Sequence, residues 1–148
     1  MALIFTVDDD SQVRGLLKVL FEDQGHEVLA LESGKQCLDH LHENPSAVFL
    51  DMVMPGMDGI ELIREAQKLC PSLVTIVMTG YATMETARAA VQAGAYDYVL
   101  KPFNLSEIKM ALKNALERFQ LLSENARLLE ITELFKISER IAATRDED

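Results

Sequence analysis

Five short apolar runs punctuate this chain, and each is followed by an amphipathic stretch or a turn leading into one. They are ALIFTV (2–7), EVLAL (27–31), AVFLD (47–51), LVTIVMT (73–79) and YDYVL (96–100). Runs of this length, apolar on both faces, predict strands of a parallel sheet covered by helices on both sides. The intervening segments supply those helices. Asp10 or Ser11 caps the first, which presents Val13, Leu16, Leu17 and Leu20 on one face and ends at Gly25. Gly34 opens a second near residues 34–43, and Asp58 caps a third that carries Ile60, Leu62, Ile63, Ala66 and Leu69 before Pro71 stops it. A fourth runs from about Thr83 to Ala93, with Gly94 at its end, and a fifth begins near Leu105. Five βα units in succession predict a doubly wound α/β domain, a size that 148 residues accommodate.

The polar residues that interrupt this pattern all fall at the same ends of the strands. Asp8, Asp9 and Asp10 follow the first strand, Asp51 ends the third, Thr79 ends the fourth and Lys101 follows the fifth. In open parallel sheets, ligands bind outside the carboxyl ends of the strands, where the strand order reverses. With strands in the order 2-1-3-4-5, Asp8, Asp9 and Asp51 converge on one concave spot. Three close carboxylates repel, and either a proton or a hard divalent cation relieves them. Mg²⁺ suits a shallow site with few carboxylates, several waters and an incoming phosphate. An aspartate beside Mg²⁺ can attack phosphorus, giving an acyl phosphate whose oxygens then find the Lys101 ammonium and the Thr79 hydroxyl, with Gly80 leaving room for their approach. Asp10 reads as a helix cap outside this chemistry.

The blocks VDDD, DMVMPGMDG, TGYAT and YDYVLKPF, in this order at these strand ends, resemble the receiver domain of bacterial two-component response regulators over residues 2–119. The resemblance implies a flavodoxin-like (βα)5 fold. It also implies that Asp51 accepts a phosphoryl group from a histidine kinase, a phosphotransfer protein or a small phosphodonor, as a signalling switch rather than a turnover enzyme. Asp8, Asp9, Asp51 and the backbone carbonyl of Val53 would hold Mg²⁺, Lys101 would bind the phosphoryl group, and Lys101-Pro102 would be cis. Thr79 and Tyr98 would form the switch pair, altering the face made by the fourth helix, the fifth strand and the fifth helix. Tyr98 also reads as an ordinary strand aromatic beside Tyr96. Val53 and Tyr81 would border the site and influence the lifetime of the acyl phosphate.

The formal net charge of −10 argues against a direct grip on nucleic acid or an anionic membrane. The deficit is shared: residues 1–118 carry 10 basic against 17 acidic side chains, and residues 119–148 carry 4 against 7. No apolar run approaches the roughly 20 residues that span a bilayer, and the start MALIFTVDDD lacks the features of a secretory signal, so the expected location is the cytoplasm. Cys37 and Cys70 form no Cys-x-x-Cys pair, and His26, His40 and His42 are not grouped with them as zinc ligands. Met52, Met54 and Met57 read as packing or partner contacts.

From Leu105 onward there is neither Gly nor Pro. Leu112, Ala115, Phe119, Leu122, Ala126 and Leu129 keep a three-four spacing, and beyond them the register slips to Leu134, Ile137 and Ile141. This predicts a receiver over residues 1–119 and a helical extension over 120–148 that pairs as a parallel coiled-coil homodimer. ITELFKISERIAA resembles the signalling helices that precede an output domain, which would then lie outside this chain. Two rival readings stand beside the receiver. A haloacid-dehalogenase-like phosphatase would use Asp8 in the pattern Asp8-x-Asp10, although Gln12 stands where that pattern wants Thr or Val, and no acidic pair follows the Lys. A pseudo-receiver would dimerise without accepting phosphate.

Overall fold

The apolar runs form the strands of one sheet in the computed structural model, which describes residues 2–80 and 84–124. Tyr81, Thr83 and the stretch from residue 125 onward, including Ala126, Leu129, Leu134, Ile137, Ile141 and the ITELFKISERIAA phrase, lie outside the described residues. The strands are β1 (Leu3–Val7), β2 (Glu27–Leu31), β3 (Ala47–Asp51), β4 (Thr75–Thr79) and β5 (Asp97–Leu100). They run parallel in the expected order β2-β1-β3-β4-β5. The register sets their carboxyl ends flush: Val7 pairs with Leu31 and Leu50, Asp51 with Met78, and Thr79 with Leu100.

Helices α1 (Ser11–Asp23), α2 (Gly34–His40), α3 (Gly59–Leu69), α4 (Met84–Ala93) and α5 (residues 105–124) connect and cover the strands. Because side chains alternate across a strand, the sheet builds two cores. Phe5, Val7, Val48, Leu50 and Val77 point to the side of α2, α3 and α4, where they meet Cys37, Leu62, Ile63 and Ala90. Ile4, Phe49, Ile76, Met78 and Val99 point to the opposite side, against Leu17 and Phe21 of α1 and Ile108 and Leu112 of α5. Phe21 and Phe49 pack as a tilted pair at 5.0 Å between centroids, and each is fully buried, a contribution of about 1.5–3 kcal/mol apiece.

Local chemistry sets the element ends. The Asp10 carboxylate accepts from the Gln12 N–H and so caps α1, leaving Ser11 as the first helical residue. Ser33 caps α2 by accepting from Gln36, one residue before the glycine expected to open it. That helix stops at His40 and tightens into a 3-10 turn (Leu41–Glu43), closed by Asn44 at φ 58°. Asp58 caps α3 as expected, and Asn104 accepts from the Glu107 N–H at the start of α5. β4 begins at Thr75 rather than Leu73, because the Leu73 N–H is bonded to the Cys70 carbonyl in the turn after α3.

The fifth helix corrects part of the coiled-coil reading. Leu112 and Ala115 are core residues of the α1/α5 side, and Phe119 and Leu122 pack against the same cluster. The first half of the expected seam therefore covers the protein's own domain. Among the described residues no helix is long and apolar enough to cross a membrane.

Candidate functional site

Each acidic residue at the sheet edge is delivered by a strand that has just finished its ladder. Asp8 follows β1, its N–H still bonded to the Leu31 carbonyl at 3.1 Å, and its side chain is fully buried. One of its carboxylate oxygens accepts from the Asp10 N–H at 2.9 Å and the other from the Lys101 ammonium at 2.8 Å. Asp51 ends β3 on the neighbouring strand, with 13% of its side chain exposed, and lies 3.5 Å from the same ammonium. Asp9 is exposed at the mouth. One oxygen from each of Asp8, Asp9 and Asp51 falls within 4.8 Å of the others.

Electrostatics follow from this crowding. Burial, and then the Asp8 charge, push the Asp51 carboxyl above the ordinary carboxylate value, against the opposing pull of Lys101 and the Val53 N–H. Burial pulls the Lys101 pKa down, but its bond to Asp8 and the charges of Asp51 and Asp8 outweigh that pull and raise it above the ordinary lysine value. Three carboxylates against one ammonium leave two negative charges in excess. A hard divalent cation with oxygen ligands offsets that excess, and the donor set fits Mg²⁺.

The remaining predicted residues cluster more loosely. Thr79 is buried at the end of β4, one register step past the Met78 that pairs with Asp51. Its carbonyl accepts from the Lys101 N–H at 2.7 Å, which ties the two residues into one unit. Lys101-Pro102 is cis. Among the described residues, a Cβ added at Gly80 would meet nothing within 4 Å. Val53 is 65% exposed, and its backbone borders Asp51. Tyr98 lies on the edge strand β5 and is 41% exposed.

Asp10 caps α1, as its position predicts. Met52 and Met54 are buried in the core beneath the loop, and both cysteines are free, with burial pushing the Cys37 thiol up to about 12. Sequence reasoning misses two residues. Gly59 approaches the Asp51 carbonyl so closely that a Cβ there would lie 2.8 Å from it, and Arg14 donates to the Asp8 carbonyl at 2.6 Å. The signals are present, a Gly eight residues after the acid and a cation in the first turn of α1, but neither residue carries chemistry that spacing alone reveals.

Residues 4–113 match the Response regulator receiver domain family. The chain is 40% identical over 116 residues to the regulatory protein AtoC of Escherichia coli, covering 77% of this chain and 25% of that protein. It is 35% identical over 114 residues to sporulation initiation phosphotransferase F of Bacillus subtilis, covering 76% of this chain and 92% of that one. The crystal structure of a response regulator receiver domain protein from Clostridium thermocellum superposes with a TM-score of 0.77 at 34% identity, over 82% of this chain and 99% of that one. The chain thus spans about a quarter of the length of AtoC and nearly all of the single-domain relatives.

Proposed function

The chain belongs to the response regulator receiver domain family of two-component signalling, and from that premise we propose that Asp51 is its phosphoacceptor. An Asp51 carboxylate oxygen attacks the phosphorus of a phosphohistidine on a sensor kinase or phosphotransfer protein. The new O–P bond forms as the P–N bond breaks, and the imidazole keeps the electron pair. With acetyl phosphate the same attack expels acetate.

The observation that carries this reading is the contrast between the two inner carboxylates. Asp8 is fully buried with both oxygens engaged, whereas Asp51 retains exposure next to the Lys101 ammonium. A nucleophile must reach its substrate, so Asp51 suits attack and Asp8 suits a fixed ligand role; this also disfavours a phosphatase acting through Asp8. Asp8, Asp9, Asp51 and the Val53 carbonyl would hold Mg²⁺, which when bound supplies the positive charge that offsets repulsion between carboxylate and phosphoryl group. Lys101 then redirects an ammonium hydrogen to a phosphoryl oxygen, and the Thr79 hydroxyl donates to another.

In this proposal the phosphoryl group draws Thr79 inward, and Tyr98 leaves its exposed position for the space vacated. That alters the face formed by α4, β5 and α5, where Tyr98, Leu100 and Met110 are exposed. The phosphate biases two arrangements already close in energy. We assign the receiver to residues 1–119 and a helical extension to 120–148, with pairing of two copies through that extension, an output domain beyond it, and a cytoplasmic location where kinases phosphorylate. A net charge of −10 argues against direct nucleic acid binding by this segment.

Intact-protein mass spectrometry after incubation with acetyl phosphate and Mg²⁺ tests the assignment. One phosphoryl adduct is expected on the wild type and on Asp8→Asn at reduced yield, and none on Asp51→Asn. Labelling that persists in Asp51→Asn but disappears in Asp8→Asn would transfer the role to Asp8. A wild type that labels neither from acetyl phosphate nor from a phosphorylated histidine kinase would make the domain a pseudo-receiver.

A further inference from the structure

Arg14 is oddly placed for a cation. It is the fourth residue of α1, near the end where the peptide dipoles already present positive charge, and that first turn contains no acid to balance it. Its side chain is nevertheless only 16% exposed. One guanidinium nitrogen donates to the Asp8 carbonyl at 2.6 Å, and the other lies 3.7 Å from the Glu32 carboxylate just beyond β2. The rigid fork of a guanidinium allows both contacts at once.

With Arg14 in place, every polar group of Asp8 is engaged: its N–H, its carbonyl and both carboxylate oxygens. Asp9 is the opposite case, an exposed side chain whose Cα is carried by the peptide plane that joins it to Asp8. The carbonyl of that plane is the one Arg14 grips.

We propose that Arg14 is a positioning residue for the acidic cluster. Its bond to the Asp8 carbonyl fixes the Asp8-Asp9 peptide so that the Asp9 carboxylate converges with Asp8 and Asp51 on a divalent cation, while Glu32 offsets its charge. This inference rests on the receiver reading of the cluster. It also opposes simple electrostatics, because removing a cation beside three carboxylates should by charge alone tighten Mg²⁺ binding. The sign of the effect therefore separates positioning from charge. Groups that orient metal ligands typically change affinity by about 10–100-fold, and one acting through a backbone carbonyl belongs near the lower end.

The test is calorimetric titration of MgCl₂ into metal-free wild type, Arg14→Ala, Arg14→Lys and Asp9→Asn, each first shown to melt cooperatively. The expected dissociation constant of Arg14→Ala is about tenfold above wild type. Arg14→Lys keeps the charge but loses the fork, so its binding is also weaker, and it carries the test by itself if Arg14→Ala does not fold. Wild-type or tighter Mg²⁺ affinity in either folded variant overturns the proposal. A wild type that binds no Mg²⁺ and matches Asp9→Asn removes the receiver reading of the cluster, and this inference with it.

Discussion

At Asp51 the demands of stability and of chemistry point in opposite directions. The side chain is mostly buried beside Asp8, and its pKa lies above the ordinary value because burial and that neighbour disfavour the charge. A carboxyl whose pKa is raised on folding binds its proton more tightly in the native state. Its stabilising effect is complete below the unfolded pKa, erodes as pH rises through the native value, and leaves ionised Asp51 as a standing cost at neutral pH. Asp51→Asn removes the charge and keeps the shape, so in metal-free buffer at pH 7 its Tm should exceed that of the wild type. The gap should close as the buffer is acidified through the carboxylate range. Saturating Mg²⁺ reverses the order, since a ligand at a hundred times its dissociation constant stabilises the protein it binds by about 2.7 kcal/mol, and Asp51→Asn lacks one of the proposed ligands. A lower Tm for Asp51→Asn in metal-free buffer would show that the Lys101 contact outweighs the crowding. The charge at the end of a buried strand was legible in the sequence, because a carboxylate closing an apolar run is desolvated at a cost unless a cation meets it there. Arg14 was not, since an Arg in a helix's first turn looks like any solvated cation until its hydrogen bond to a carbonyl is seen.

Among the elements, the loop from β3 to α3 has the tightest tolerance. The Gly59 N–H bonds the Met52 carbonyl at 2.9 Å, and a Cβ at Gly59 would sit 2.8 Å from the Asp51 carbonyl and 2.9 Å from the Met52 Cα. Backbone cannot yield as a side-chain tip can. Gly59→Ala should therefore cost about 1–3 kcal/mol, as overpacking usually does. With a urea m-value of about 1–3 kcal/mol/M, the midpoint falls by about 1 M. Gly15, exposed within α1 with nothing within 4 Å of an added Cβ, is the matched control. Gly15→Ala should raise stability by about 0.5–1 kcal/mol through helix propensity. Equal midpoints for the two variants would mean that the β3–α3 loop relaxes freely. The type and order of the elements were readable because the apolar runs and helical faces differ in period. The ends were less so: α2 starts at Gly34 as read but stops at His40 rather than running to residue 43, and β4 yields Leu73 to a turn, because caps and turn bonds compete locally with the hydrophobic pattern.

For the whole molecule, the question is which surface α5 serves. Three-four spacing marks both a coiled-coil seam and a helix lying on its own domain, so the sequence alone could not divide the stripe. Leu112, Ala115, Phe119 and Leu122 belong to the domain's own packing, while Leu121 on the same helix is 57% exposed. In the proposed pairing, the contacts would draw chiefly on residues past 124, where Ala126 and Leu129 continue the spacing in the sequence. Two truncations separate the roles. A chain ending at Glu124 keeps every described helical residue that packs on the domain, so its Tm should match that of the full chain, while multi-angle light scattering should show the mass fall from dimer to monomer. A chain ending at Phe119 also loses the partly buried Leu122 and should be monomeric and less stable, by about 1 kcal/mol for a contact of this kind. If the chain ending at Glu124 kept the full chain's association state, pairing would reside in the receiver itself, and the exposed Tyr98, Leu100 and Met110 face would be the surface to substitute next.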